Sequence, residues 1–459
     1  MSIKVLMLGW EYPPHIAGGL GIACHGLSES LKDEGVNVTF VVPHLSGDED
    51  NSRINLVSAS EVPIKLASEI NTVLTATQSK TTNQPFVETI LVESTLSSYN
   101  MASLEEPLTS FRHWNNEILT EDNDICRETT AGVEEVKYLF KGGYGEELIK
   151  EVSRYASVVE EIACSTDFDI IHAHDWMTYP AGLAASRMSG KPLVIHVHAT
   201  EFDRAGDSGS QAVYDIEKTA ISESDGIVAV SKWTSDLLVS KYNAEPGKIR
   251  VVHNGVFQNG EMKTRNTNPV GDKIVTFLGR VTFQKGPEYF VEAARKVLKE
   301  FPDCHFVMAG SGDALPGIIH RVAGAGISSN FHFTGFLPKK DIDRLLSFSN
   351  VYVMPSVSEP FGITPLEAIQ ANVPVIISKQ SGVAEVVVNA LKVDFWDTDA
   401  LAQAICSVLK HKSLAETLRI RAKDDLTSIT WNSAAKKIKR LYYETISAGQ
   451  RGPCGPRDS

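Results

Sequence analysis

Val351-Tyr352-Val353-Met354-Pro355 runs, two residues later, into Ser358-Glu359-Pro360-Phe361-Gly362-Ile363-Thr364-Pro365-Leu366-Glu367. The first run is continuously apolar, as in a parallel strand covered by helices on both faces. The second run then occupies a loop between strand and helix, at the carboxyl end of the strand. Open α/β sheets bind ligands there. Gly362, Ile363 and Thr364 would offer backbone N–H groups at the helix start. Glu359 precedes that start and Glu367 lies roughly one turn beyond it, so both could face one bound molecule. Carboxylates so placed hydrogen-bond sugar or ribose hydroxyls. The plainer alternative makes Glu367 a solvent-facing helix residue and Glu359 an acid favoured by the helix dipole.

Outward from this stretch the same rhythm recurs. Short β-branched runs at 273–279, 304–310, 330–336 and 374–378 alternate with helix-length segments. A separate series at 3–9, 36–43, 169–174, 192–199, 226–231 and 248–253 precedes it. Residues 257–272 carry Gly260, Thr264, Asn266, Thr267, Asn268, Pro269 and Gly271, a linker-like composition. The expected fold class is α/β, with two doubly wound Rossmann-like domains facing across a cleft. Residues 1–256 form the first domain and 273–430 the second. An insertion at about 47–143, rich in Ser, Thr, Asn and Glu, should carry hairpins or a cap, with a strand-like fragment at 86–92. The Gly/Pro-rich tail, 449–459, should be disordered.

Lys and Arg total 44 and Asp and Glu total 57, a formal net charge of −13. Nucleic-acid binding, which usually needs a basic surplus, is disfavoured. No apolar run reaches the roughly 18 residues of a membrane span. The chain opens directly into a strand-like stretch rather than a signal peptide. Cys24, Cys126, Cys164, Cys304, Cys406 and Cys454 form no CxxC pair, which fits a reducing, cytoplasmic location.

Four further segments carry chemistry. Gly18-Gly19-Leu20-Gly21 opens a helix after the first strand, where glycines let backbone approach an anionic ligand. Its spacing is not GxGxxG, which argues against a nicotinamide or flavin dinucleotide. Arg280, after the strand at 273–279, and Lys285 are two cations that can converge on a phosphate ester and neutralise a departing diphosphate. In isolation they would read as two surface charges. His172-Ala173-His174-Asp175-Trp176 and His196-Val197-His198-Ala199-Thr200-Glu201 both end first-domain strands. Zinc ligation is the rival reading for these histidines. Against it stands the expectation that alternating strand residues point to opposite faces, giving each pair at most one ligand. His172 and His196 are expected in the core, and His198 in the cleft.

Taken together, these residues resemble retaining glycosyltransferases of family 4, which have the GT-B fold, and most closely the glycogen/starch synthase branch. The resemblance is carried by Gly18-Gly19-Leu20, His172–Trp176, His198, Val252-His253-Asn254-Gly255-Val256, Gly279-Arg280 with Lys285-Gly286, and the pair Glu359 and Glu367 as E-x7-E. It implies a hexosyltransferase that moves a sugar, glucose by analogy, from a nucleoside-diphosphate donor to a glycan or other hydroxyl acceptor. By the same resemblance, Arg280, Lys285 and Gly19 would hold the diphosphate. Glu359, Phe361, Gly362, Ile363, Thr364 and Glu367 would hold the donor sugar and ribose. Phe336 would meet the base, while His198, Glu359 and Asp175 would stand at the reacting sugar. No metal and no cofactor beyond a UDP- or ADP-sugar co-substrate are implied, and the segment 431–448 would cross back to the first domain. Two positions depart from the branch. Ala17 replaces a lysine in the Gly-Gly-Leu loop, and Ala199 replaces an asparagine after the strand-end histidine. Both favour a UDP-sugar or a smaller acceptor over ADP-glucose and glucan. A GT-B nucleotide-sugar epimerase and a non-catalytic nucleotide- or glycan-binding relative are the competing readings. The presence of both Glu359 and Glu367 counts against the first, and retention of Arg280, Lys285 and Glu359 against the second.

Overall fold

The computed structural model of the chain describes residues 2–15, 18–50, 52–65, 125–130, 133–142, 147–257 and 273–449. Ala17, the fragment 86–92, most of the insertion, the linker from 258 onward and the tail from 450 lie outside the described residues.

In chain order, the first domain contributes β1 (Lys4–Leu8), β2 (Asn37–Val42), β3 (Asn55–Ser58), β4 (Ile64–Lys65), β5 (Ile125–Thr130), β6 (Val133–Tyr138), β7 (Ile170–His174), β8 (Leu193–Val197), β9 (Gly226–Ala229) and β10 (Ile249–Val251). Seven of these form one sheet, ordered β10-β9-β8-β7-β1-β2-β3, and all its pairings are parallel. The small antiparallel sheet β4-β6-β5 stands apart. Strand β3 corrects the expectation that the main sheet pauses at about residue 47. Its residues pair with β2 in the register Thr39↔Asn55 and extend the sheet by one strand. The run is short and flanked by polar residues, so it did not stand out from its Ser- and Asn-rich surroundings.

The second domain contributes β11 (Lys273–Leu278), β12 (Cys304–Ala309), β13 (Phe331–Gly335), β14 (Val351–Met354), β15 (Val375–Ser378) and β16 (Leu391–Val393). They form a parallel sheet in the order β13-β12-β11-β14-β15-β16.

Residue alternation builds a core on each side of each sheet. Leu6 and Leu8 face one side with Ile171, Ala173 and Ile195, while Val5 and Met7 face the other with Ile170, Val194 and Val228. Val275, Phe277 and Phe306 divide from Tyr352, Met354 and Ile377 in the same way. Two-sided burial is why these strands read as unbroken apolar runs. Each fully buried aliphatic chain contributes about 1.5–3 kcal/mol.

The last helix, Trp431–Gly449, lies on the first domain, with Trp431, Ala435, Ile438 and Tyr442 in its core. It meets the helix Gly19–Asp33 at Gly26, where an added Cβ would stand 2.3 Å from the Trp431 ring. Any side chain there would push the two helices apart. Among the described residues, no helix is long and apolar enough to cross a membrane.

Topology fixes where a ligand can sit. From β1 the chain builds outward to β3 and then returns to β7 on the opposite side. From β11 it builds to β13 and returns to β14. Each sheet therefore has one switch point, between β1 and β7 and between β11 and β14. Loops leaving the carboxyl ends of those strands diverge and open a crevice.

Candidate active site

The four loops at the two switch points carry most of the residues singled out in the sequence. After β1, the helix Gly19–Asp33 starts at an extended Gly18 with no side-chain cap, which leaves first-turn N–H groups open. Glu11, nearly buried, takes one of them, accepting from the Gly21 N–H at 3.0 Å. Gly19 faces the second domain, and a Cβ built on it would stand 4.0 Å from Ile363 Cδ1. Gly19 and the Gly362–Thr364 turn thus stand on opposite walls of one gap.

After β11, Arg280 is exposed and forms no ion pair among the described residues. Lys285, on the same connection, is half-buried and pairs directly with Glu359 from the loop after β14. Glu359 is buried and also accepts from Ser356 Oγ at 3.2 Å. The residue expected at the diphosphate and the residue expected at the sugar are therefore partners. A half-buried ammonium and a buried carboxylate compensate each other's desolvation. Gly362 has φ 99, and a Cβ there would press on Glu359 Cγ at 3.2 Å and on Met354, so glycine is required.

Phe361 does not line the gap. Its side chain is 2 % exposed and packs in the core beside the His253 ring, so only its main chain can serve a ligand. Thr364 Oγ1 shares a 2.7 Å hydrogen bond with the Tyr352 hydroxyl. Glu367 accepts from Lys339 Nζ at 2.9 Å, which ties the E-x7-E helix to the helix that follows Phe336. Phe336 itself is 68 % exposed, an uncovered aromatic face next to that tie.

On the first-domain side the histidines form a quartet rather than separate pairs. His172 and His174 have ring centroids 4.3 Å apart, and His196 and His198 4.2 Å apart. His172 stacks on His196 at an interplanar angle of 4°, while His174 and His198 meet edge to edge, their planes 26° apart. The expectation that each pair splits between sheet faces is overturned, because residues two apart on a strand share a face. His172, His174 and His196 are buried, and His198 is half-buried. Burial lowers the pKa of all four, that of His172 to about 3, so the quartet is neutral at pH 7.

Ligand atoms of His172, His174 and His196, and of Cys24, His174 and His198, lie close enough to hold a metal ion. Stacked rings, however, direct their in-plane lone pairs along parallel planes rather than at one point. Moreover, His174 Nδ1 and His198 Nε2 are already joined at 2.9 Å.

Asp175 terminates β7 with φ 63, a left-handed conformation that Asp tolerates better than most residues. Its Oδ1 accepts from the His198 and Ala199 N–H groups at 2.8 and 3.2 Å. Its Oδ2 pairs with Arg204 at 3.4 Å. Asp175 lies beside His198, as expected, but both its oxygens are engaged. It holds the loop after β8 rather than presenting a free carboxylate. Arg204 also meets Glu201 and Glu217, and Asp175, with Glu217 and Glu201, holds its guanidinium above its ordinary pKa despite burial.

Contacts across the domains were not legible in sequence. Ser358 donates to Asp203 Oδ1 at 2.5 Å. Glu385 accepts from the Lys232 and Trp233 N–H groups at 2.9 and 2.8 Å, capping a first-domain helix from the second domain, and from His253 at 2.8 Å. Burial pushes the Glu385 carboxyl up, but His253 and the two N–H groups bring it below the usual carboxylate range. A cap lying 153 positions away leaves no local sequence pattern.

Two parallel-sheet domains with ligand loops at facing switch points are the architecture of a GT-B glycosyltransferase. Three family models match consecutive stretches: starch synthase catalytic domain at residues 4–120, glycosyltransferase family 4 at 121–257, and glycosyl transferases group 1 at 258–425. The chain is 27% identical to an uncharacterized glycosyltransferase of Methanocaldococcus jannaschii, over 96% of this chain and 98% of that one. It is 25% identical to the glycogen synthase of Mycobacterium tuberculosis, over 98% and 97%. Among solved structures, the catalytic domain of starch synthase IV from Arabidopsis thaliana, bound to ADP and acarbose, superimposes with a TM-score of 0.63 at 17% identity, covering 97% of this chain and all of that one. The fold is GT-B, and these matches support a glycosyltransferase.

Proposed function

We propose that the chain is a retaining, metal-independent hexosyltransferase of family 4 that moves glucose from a UDP- or ADP-sugar to a glycan or smaller hydroxyl acceptor. The observation that carries this reading is the convergence at the two switch points. Gly19 faces the Gly362–Thr364 turn, and the connection after β11 carries both Arg280, exposed and without an ion pair among the described residues, and Lys285, which pairs with Glu359.

Arg280 and Lys285 bind the diphosphate, and Gly19 adds a backbone N–H. Glu367 takes the ribose hydroxyls, the exposed ring of Phe336 stacks on the base, and Glu359 takes the transferred sugar's hydroxyls. The bond from the sugar's anomeric carbon to the diphosphate oxygen breaks with its electron pair going to the diphosphate. Fixed cations stabilise the charge that grows there. The acceptor oxygen then bonds to the same carbon from the leaving group's own face, and its proton passes to the departing phosphate. Contacts between the domains, including Ser358 with Asp203, exclude water from that step.

A panel of ADP-, UDP- and GDP-glucose, UDP-N-acetylglucosamine and GDP-mannose, with and without maltooligosaccharides, tests the reading. We expect nucleoside diphosphate release from one glucose donor, an unchanged rate in EDTA, and a product of retained anomeric configuration. Arg280→Ala should lower kcat/KM by roughly 10²–10³-fold. Silence across the panel, with no thermal shift by any nucleotide, overturns it.

A further inference from the structure

We infer that His174 is a positioning residue that holds His198 in the tautomer carrying its proton on Nδ1, so that His198 presents an N–H donor to the bound molecule. The inference deepens the transferase reading and rests on it for the claim that this edge of His198 faces substrate.

His174 Nδ1 and His198 Nε2 are 2.9 Å apart, so one proton lies between them. Both rings are neutral, since burial keeps them below their usual pKa even though Asp175 pulls His198 the other way. Each ring then carries one proton, and two arrangements are available. If His198 donates from Nε2, the single proton of His174 must sit on its Nε2. That atom is buried and has no hydrogen-bond partner. If His174 donates from Nδ1, its Nε2 is a bare acceptor. A buried orphaned N–H is rarer and costlier than an under-used acceptor, which selects the second arrangement.

The proton of His198 then lies on Nδ1, a nitrogen with no partner among the described residues on a half-exposed ring. The ring is steadied from two sides. Asp175 holds its main-chain N–H at 2.8 Å, and His196 stacks on it with centroids 4.2 Å apart. A neutral Nδ1–H seeks an oxygen acceptor, either a sugar hydroxyl or a phosphate oxygen. It cannot take a proton from the acceptor, consistent with that proton leaving on the diphosphate.

The test is a long-range 1H–15N correlation on the full chain carrying 15N-histidine, at pH 7, with His198 assigned by its missing signals in His198→Asn or His198→Gln. We expect the Nδ1–H pattern for His198 in the wild type. In His174→Phe, which keeps an aromatic ring but removes the donor, that pattern should give way to Nε2–H or to an exchange average. An Nε2–H pattern in the wild type overturns the inference. Kinetics provide a second arm, because an Asn amide reaches the place of Nδ1 and a Gln amide that of Nε2. His198→Asn should therefore exceed His198→Gln in kcat by about tenfold or more, with similar donor KM, and an equal or reversed ranking overturns the inference. If no donor is turned over while the Nδ1–H pattern holds, the transferase reading fails and the tautomer assignment stands.

Discussion

The two switch points solve opposite problems with opposite materials. In the second domain, the loops after β11 and β14 bring charge: an exposed Arg280 with no ion pair among the described residues, and a Lys285–Glu359 pair that is one-fifth exposed on one side and nearly buried on the other. In the first domain, the ends of β7 and β8 bring four neutral imidazoles packed on one another, with carboxylates held behind them by Arg204. Charged groups suit a diphosphate whose charge rises as it leaves. A neutral His198, backed by three buried neutral rings, suits a sugar or a hydroxyl acceptor, where a free carboxylate or ammonium would impose a desolvation cost. The difference shows that a buried histidine need not be an acid or a base, because packed in a group it stays uncharged, with only His198 partly exposed.

The largest expected effect exploits that difference with acid. An unfolded histidine takes up a proton below pH 6.5, whereas folded His172 does not until about pH 3. The unfolded state therefore binds more protons in that window, and stability falls as pH drops through it. For His172 alone the loss at pH 4.5 is on the order of 2–3 kcal/mol, and His174 and His196 act in the same direction. The second domain has its own histidine pair, His305 and His332, joined at 2.9 Å but at the surface, and it should contribute little. Amide exchange at pH 7 and pH 5, corrected for intrinsic rates, should show protection falling in β7 and β8 before β11 and β14. His196→Phe should flatten the first sheet's response. Equal loss in both sheets would remove the histidine quartet from the explanation.

A double-mutant cycle probes the charged side. Lys285→Met strands the Glu359 carboxylate, which is 7% exposed. The expected cost is about 1–3 kcal/mol in urea unfolding, less than for a fully buried pair because Lys285 still touches solvent. Adding Glu359→Gln should restore stability to within about 1 kcal/mol, while transfer stays abolished in all three variants. Additive losses would mean the two groups are not coupled, and recovered activity would mean that neither meets the donor.

Much of this contrast was readable before the fold was known, and the reasons are physical. Two-sided burial makes parallel strands into apolar runs, so both domains and both ligand loops could be placed from sequence. Gly19, Arg280, Lys285, Glu359 and Glu367 could be placed at strand ends and helix starts from the apolar runs before them, and the structure brings Gly19 toward Ile363 and pairs Lys285 with Glu359. What stayed hidden depends on direction or distance. The period of two puts His172 and His174 on one face, and reading them as opposed concealed the quartet. Phe361 looked like part of the loop, but its ring turns into the core. Asp175 was expected at the reacting sugar beside His198, but its oxygens are taken by the His198 and Ala199 N–H groups and by Arg204. Glu385 caps a helix that begins 153 positions earlier, which no local pattern encodes.

The smallest expected effect lies at the rim of the charged side, with Phe336. Its ring is 68 % exposed, so truncation removes almost no buried area, and Phe336→Ala should leave the unfolding midpoint unchanged. If the ring stacks on the donor base, alanine loses an aromatic contact worth roughly 1 kcal/mol, the low end for base stacking. Donor KM should then rise about fivefold with kcat unaffected, because the base lies far from the breaking bond and its binding is the same in ground and transition states. The effect should also be sensitive to the base, larger for a purine donor than for UDP, since stacking grows with ring area. A kcat effect without a KM effect would place Phe336 in domain closure instead. That would move it from the donor side of the comparison to the contacts joining the two halves.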